Sequence, residues 1–333
     1  MSRKRISMAA ALAFTGGFLW MAARNVQFSD LGSILASAQW RWLAPMLFVI
    51  GIVDIGLRAL RWRILLSRAV KSAPLGELFR LSAIGLAVNN VLFARLGEVL
   101  RGVLAARQLK IPLATTLASV VVERALDVAA LLTLFVLASA GQPDMVAAPI
   151  RRAGMLLLAG VVLVLVFFVL AERTLESGGF LERRFRKWPK LHEIVGHLAL
   201  GAAVLRQPRA LAAVVALSLG LWSVDAGIYW LGAQALGLGG TIDYLRAILV
   251  LSWAGAGAAI PAVPGAIGTF EAMVKAILEK FGVAANPAFA YALFLHMSMY
   301  VTVTVMGLIF LYRVGLSLGG LKASLGRPEG PRA

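Results

Sequence analysis

Between Ala153 and Ala171 the chain carries no charged residue, and this run restricts what the sequence can fold into more than any other stretch. As a helix it would be about 28 Å long, close to the roughly 30 Å hydrocarbon core of a bilayer. It reads as a lipid-facing span. A hydrophobic share of 60%, against about 45–50% in soluble domains, and a mean hydropathy of +0.84 extend that reading to the whole chain, an all-α polytopic membrane protein. The longest polar segment, about Glu172 to Arg209, is shorter than the roughly 50 residues of a separate folded domain. Residues 1–333 are therefore expected to form a single membrane domain.

Taken in order, Arg3, Lys4 and Arg5 precede an apolar run from Ile6 to Ala23, which suits a signal peptide or a first helix and is taken here as a retained helix. Leu43 to Leu60 is a second span, with Asp54 and Arg58 four apart on one face. That spacing reads as a structural ion pair near the interface, with Arg58 reaching toward the head groups. Arg61, Arg63, Arg68 and Lys71 follow as a basic patch. Next, Leu78 to Ala94 is interrupted at Asn89-Asn90, and Leu96 to Arg107 is too short to cross, rising only about 18 Å as a helix. Residues 78–107 thus read as a re-entrant hairpin entering from the cytoplasm. Ile111 to Ala140 is a long helix carrying Glu123, Arg124 and Asp127.

After the charge-free span, residues 172–209 read as a basic cytoplasmic loop with an amphipathic helix, attracted to anionic lipid. Ala210 to Leu236 spans with Asp225 inside it. Residues 242–281 enter the membrane, break between Pro261 and Gly268, and continue in a limb that is again too short. Pro287 to Tyr312 is the final span, and 316–333 is a polar tail. The expected architecture is six spanning helices plus two oppositely oriented re-entrant hairpins, in halves of about 1–140 and 150–315. Interrupted hydrophobic segments in corresponding positions of two halves point to an inverted repeat; ordinary kinked helices are the competing reading. With both termini cytoplasmic, most Lys and Arg fall inside, so the net charge of +17 reflects membrane orientation and not nucleic-acid binding.

An ionisable group in lipid costs roughly 3 kcal/mol or more, so it usually faces a partner, a cavity or a substrate. Glu98, Glu123 and Asp127 balance Arg95, Arg101 and Arg124. Arginine forks recognise phosphate, and helices beginning at the two breaks would direct partly positive N-termini inward. In the second half Glu271 and Lys275 lie four apart, and His296 and Tyr300 share a helical face, either as a proton-transfer pair or as a packing pair. The candidate head-group site comprises Asn89, Asn90, Arg95, Glu98, Arg101, Glu123, Arg124, Asp127, Pro264, Gly265, Gly268, Glu271, His296 and Tyr300. Its carboxylates could also carry a coupling proton or cation. A purely structural salt-bridge network is the alternative.

Several chemistries lack their residues. The chain has no cysteine, so disulfide and thiolate chemistry are excluded. His192 and His197 are five apart, not the four that put two ligands on one helix face. Neither a phosphate-binding G-x-x-x-x-G-K-[ST] loop nor a G-x-S-x-G elbow occurs. No metal or cofactor is expected, and the chain is read as a non-enzyme. The alternatives are a membrane enzyme using Glu98, Glu123 and Asp127 on a lipid phosphate, or an accessory scaffold subunit of a lipid-modifying system; homo-oligomers remain open.

Three ordered motifs carry a resemblance: Asn89-Asn90 leading to Arg95-Leu96-Gly97-Glu98-Val99-Leu100-Arg101, then Glu123-Arg124-Ala125-Leu126-Asp127, then Pro264-Gly265-Ala266-Ile267-Gly268-Thr269-Phe270-Glu271. Over roughly Ile6 to Gly315 the chain resembles the lysylphosphatidylglycerol synthase transmembrane family, also called the flippase-like domain family. The resemblance implies a bacterial or archaeal inner-membrane protein that moves a phospholipid, or a polyprenyl- or hopanoid-type lipid, between leaflets. Phe93 and Ala266 stand where the family often has Pro and Gly, and His296 where many members have Arg. No aminoacyl-transfer domain is present in this sequence, so the synthase activity of two-domain members is not implied.

Overall fold

The computed structural model describes residues 13, 15–92, 96–176, 201–260 and 264–314. Arg95, the Pro261 to Val263 part of the second break, the proposed amphipathic helix of the basic loop and the polar tail lie outside the described residues. Among those described there are helices and turns and no strand.

A short helix α1 (Phe28–Ala36) precedes α2 (Trp40–Leu65). Helix α2 starts with a 3₁₀ turn and contains a π-helical stretch, Val49–Asp54. Then come α3 (Leu75–Val91), α4 (Leu96–Leu109), α5 (Leu113–Gly141) and α6 (Ala148–Glu176). A 3₁₀ turn at Ala203–Arg206 leads into α7 (Pro208–Ala235). The chain continues as α8 (Tyr244–Ala259), α9 (Thr269–Lys280) and α10 (Ala285–Arg313).

Four of these helices, α2, α6, α7 and α10, are long and apolar enough to cross a membrane. Helix α6 contains the charge-free run and is largely exposed along Leu156 to Val166, as a lipid-facing helix requires. Part of the segment read as a solvated loop is instead interior: Ala202, Ala203, Val204 and Leu205 are buried, and Ala202, Val204 and Leu205 join the core formed by α2, α3, α4 and α5. Their apolar side chains explain why these four residues leave the loop.

Both apolar segments are interrupted, but the first break falls later than the sequence predicts, because Asn89 and Asn90 are still within α3 and spend their side chains on bonds to Gly97 and Thr304. Helix α3 stops at Val91, and Leu92 is extended (φ −109°, ψ 149°). Helix α8 stops at Ala259, Ile260 is extended, and a 3₁₀ turn at Pro264–Ala266 follows. Gly265 and Gly268 have φ of 74° and 89°, a region open to glycine without a Cβ penalty. Ala266 also has positive φ, 57°, so the alanine that replaces a glycine in the resembling motif sits in backbone that favours glycine.

After each break the chain doubles back on the limb before it. The α3–α4 crossing brings the Gly97 backbone so close to Gly85 that a Cβ at Gly97 would lie 1.9 Å from the Gly85 carbonyl oxygen. The α8–α9 crossing does the same at the equivalent sequence separation, with a Cβ at Gly257 falling 2.7 Å from the Thr269 carbonyl oxygen. Small residues at these two crossings are what let short limbs run backbone against backbone.

The two halves also match in order and length. Helices α2, α3, α4 and α5 have 26, 17, 14 and 29 residues; α7, α8, α9 and α10 have 28, 16, 12 and 29. Packing across the halves is crosswise. Helix α3 lies on α10 and α8 on α5; α2 touches α10 and α7 touches α5; α2 and α7 touch each other. Exchanging the halves therefore returns the same set of neighbours.

Candidate functional site

Three helices bring most of the embedded charges together. On α2, Asp54, Arg58 and Arg61 recur at helical spacing and share one face. Arg61 is completely buried, with Nη1 2.7 Å from Asp127 Oδ1 and 3.0 Å from the Ser218 hydroxyl, and Nη2 3.3 Å from Glu123 Oε1. Glu123 Oε1 also meets Arg101 Nη2 at 3.0 Å and Arg124 Nη2 at 2.7 Å. Asp127 Oδ2 lies 2.8 Å from Arg124 Nη2 as an ion pair, and Asp127 Oδ1 accepts from the Trp222 indole at 3.1 Å. Arg101 packs its guanidinium over the Trp62 ring, 4.7 Å from its centroid, and Trp62 donates to Ser119. Each charge thus has an opposite charge within 3.0 Å, as burial demands, while Arg61 Nη2, Arg101 Nε, Glu123 Oε2 and Asp127 Oδ2 are buried without a hydrogen bond among the described residues.

Beside this group Arg58 bridges two acids. Its Nε lies 3.1 and 2.9 Å from the Asp54 oxygens, and its Nη2 lies 3.2 Å from Asp225. The Asp54–Arg58 ion pair expected from sequence forms, but the expected reach of Arg58 toward head groups is corrected: Arg58 is buried and turned inward, where Asp225 on α7 supplies a second anion. The basic patch is corrected likewise, since Arg61 leaves it for the interior.

One end of the network is open. The Arg124 side chain is 30% exposed and Glu98 is 19% exposed, with Nη1 and Oε1 3.7 Å apart, whereas Arg61 and Glu123 are closed off. Glu98 is the third residue of α4, so this open end lies within one helical turn of the first break.

A second group surrounds the other break. His296 Nε2 is 2.8 Å from the Gly265 carbonyl oxygen, and its Nδ1 is 2.5 Å from Glu271 Oε1. Glu271 Oε2 accepts the Gly268 N–H at 2.7 Å, so this carboxylate caps the start of α9. Glu271 and Lys275, four apart on α9, do not pair: Lys275 donates to the Arg24 carbonyl at 2.5 Å and lies 3.5 Å from Glu279. His296 and Tyr300 are edge-to-face neighbours, their ring centroids 6.1 Å apart, and each hydrogen-bonds elsewhere.

The breaks touch each other. Tyr300 donates to the Asn90 carbonyl at 3.3 Å, Asn90 donates to Thr304 at 2.9 Å, and a Cβ at Gly265 would meet Tyr300 at 2.6 Å and the Asn90 carbonyl oxygen at 3.5 Å. Asn89 turns the other way, its Oδ1 accepting the Gly97 N–H at 2.8 Å and satisfying an otherwise orphaned donor in the first turn of α4. Pro264 opens the 3₁₀ turn.

The family model of the lysylphosphatidylglycerol synthase TM region matches residues 8–307. The chain belongs to this family. No curated protein and no solved structure matches it. As a lysylphosphatidylglycerol synthase TM-region protein with several helices long and apolar enough to cross a bilayer, it is a multi-pass membrane protein.

Within this family member the residues singled out from sequence fall into two groups. Glu98, Arg101, Glu123, Arg124 and Asp127 are in the charged network. Asn90, Gly265, Gly268, Glu271, His296 and Tyr300 surround the contact between breaks, with Asn89 and Pro264 shaping the limbs. Sequence reasoning missed Arg61 and the joining of Asp225 to Arg58. The recurrence of Asp54, Arg58 and Arg61 on one face of an apolar span was a signal that could have found Arg61.

Proposed function

We propose that this protein moves a lipid with an anionic or lipid-linked head group between the leaflets of a bacterial or archaeal inner membrane. The head group would bind at the open end of the charged network, beside the break in the first of two re-entrant hairpins. Residues 75–109 and 244–280 form the hairpins in this reading, entering from opposite faces as an inverted repeat. The matched helix order and the crosswise packing support it.

The observation that carries the reading is the gradient of exposure along the network. Arg61, Arg101, Glu123 and Asp127 are enclosed and mutually paired, so they hold geometry, while Arg124 presents a partly open guanidinium next to the first break. A planar fork held by Glu123 and Asp127 is suited to bidentate recognition of phosphate. Glu98 would occupy Arg124 when no head group is bound and yield when one arrives. Lipid tails would stay in the bilayer.

The test is transfer in vesicles of phosphatidylethanolamine and phosphatidylglycerol, with separate preparations containing fluorescent phosphatidylglycerol or a labelled polyprenyl phosphate. Transfer of either probe without chemical change, lost in a folded and inserted Arg124→Gln variant, is the expected result. A modified lipid product would favour an enzyme. Neither movement nor modification of either probe would favour the accessory role.

A further inference from the structure

The protons around His296 can be counted from the geometry. The Gly265 carbonyl can only accept, so His296 Nε2, 2.8 Å away, must carry a proton. A neutral ring protonated there has a bare lone pair at Nδ1, and Nδ1 lies 2.5 Å from Glu271 Oε1. If Glu271 is a carboxylate, two lone pairs face each other at that distance and repel. The contact becomes a hydrogen bond only when one further proton lies in it, either on Nδ1 as an imidazolium or on Glu271 as a carboxylic acid.

The surroundings isolate that proton. Phe270 lies against the imidazole with ring centroids 4.5 Å apart, Tyr300 stands edge-on, and His296 and Glu271 are both buried. On α9 the nearby Lys275 ammonium is drawn away to the Arg24 carbonyl and Glu279. From α10 the facing titratable group is the Tyr300 hydroxyl, bound to Asn90; α7 brings Tyr229, whose ring neighbours Phe270. Helix α3 contributes neutral Asn90, and the charged residue of α8, Arg246, is held at its start by Asp243 and the Thr241 carbonyl. Among the described residues no ion pair other than that with Glu271 reaches His296.

We propose that His296 and Glu271 form a proton-binding site, and that its single proton latches the second helical break against the first. With the proton in place, one imidazole holds both the Gly265 carbonyl and the carboxylate that caps α9, so the strained turn is fixed from both sides. Losing the proton leaves one ring proton for two acceptors, so either the Nδ1 contact with Glu271 or the Nε2 contact with Gly265 is lost, and the turn that rests on Asn90 and Tyr300 loosens. Taking this loosening as the step that couples a proton to lipid movement rests on the function proposed above; the latch itself involves no lipid substrate.

The test uses the full chain in phosphatidylethanolamine and phosphatidylglycerol nanodiscs, with hydrogen exchange of residues 257–273 followed from pH 5 to pH 9 and corrected for intrinsic exchange. In parallel, ¹⁵N imidazole spectra are recorded with His192→Gln and His197→Gln present, leaving His296 as the remaining histidine. Raising the pH should remove one ring-associated proton and lower protection about tenfold or more, as loss of a hydrogen bond to a charged group implies. In Glu271→Gln the amide N–H can donate to a neutral Nδ1 while its oxygen still accepts from Gly268, so protection should stay high at every pH. His296→Gln, which donates without titrating, should also remove the pH dependence and serves if Glu271→Gln does not fold. Protection in the wild type that ignores pH, or that falls equally in the variants, would overturn the latch. No lipid-transfer assay enters, so its failure and that of the transport reading are separable.

Discussion

At the scale of single residues, the arginines divide by what surrounds them. Arg61 is enclosed between Glu123 and Asp127, and truncating one member of a buried charge network leaves the others uncompensated, at a cost of about 3–5 kcal/mol. Arg61→Met is therefore expected to lower thermal stability in nanodiscs by an amount of that order. Arg124 is partly open and sits at the edge of the same network, so Arg124→Gln should lose much less stability yet abolish lipid transfer. If the two variants lose stability equally, the division between holding and binding arginines is wrong. Arg58 illustrates the same rule from another side: it turned inward because burying Asp54 and Asp225 without a cation would be dearer than burying all three.

At the scale of elements, each pair of short helices, α3 with α4 and α8 with α9, depends on a close backbone crossing. A Cβ at Gly97 would sit 1.9 Å from the Gly85 carbonyl oxygen, so Gly97→Ala must drive α3 and α4 apart, and a loss of about 1–3 kcal/mol is expected from overpacking. Gly56 lies inside α2 with nothing within 4 Å of its added Cβ. Gly56→Ala should be neutral or stabilising by up to about 1 kcal/mol. Thermal unfolding of the two alanine variants side by side checks whether close approach, and not helix propensity, holds α3 against α4. The gap between the α3 and α4 limbs is also bridged by Asn89, which caps α4 from the preceding helix.

At the scale of the whole molecule, crosswise packing ties each half's first short limb to the other half's last long helix. A Cβ at Gly255 on α8 would lie 3.0 Å from Leu131 Cδ2 on α5, and the natural chain contains no cysteine to interfere. Leu131→Cys with Gly255→Cys should thus be bridged by a short bis-methanethiosulfonate cross-linker, because only the tip of Leu131, and not its Cβ, lies within 4 Å of that point. If the short helices move relative to the long ones during transport, cross-linking will stop lipid transfer and a reductant will restore it. Undiminished transfer in the fully cross-linked protein would show that α8 and α5 do not part.

The sequence by itself determined the membrane setting, the two interruptions and the identity of most embedded charges. These follow from local facts: the length of apolar runs, the rise of a helix per residue, and Gly, Pro and Asn at the breaks. Motif order also reached the family, which the match over residues 8–307 then established. Only the tertiary structure decided which charges meet. Asp225 joins Arg58 across more than half the chain, Arg61 leaves its apparent patch for Glu123 and Asp127, and His296 takes Glu271 from Lys275. Helical spacing predicts neighbours within one helix. An enclosed charge, however, takes whichever opposite charge the packing of other helices brings within about 3–4 Å, because with no water available the partner must be protein.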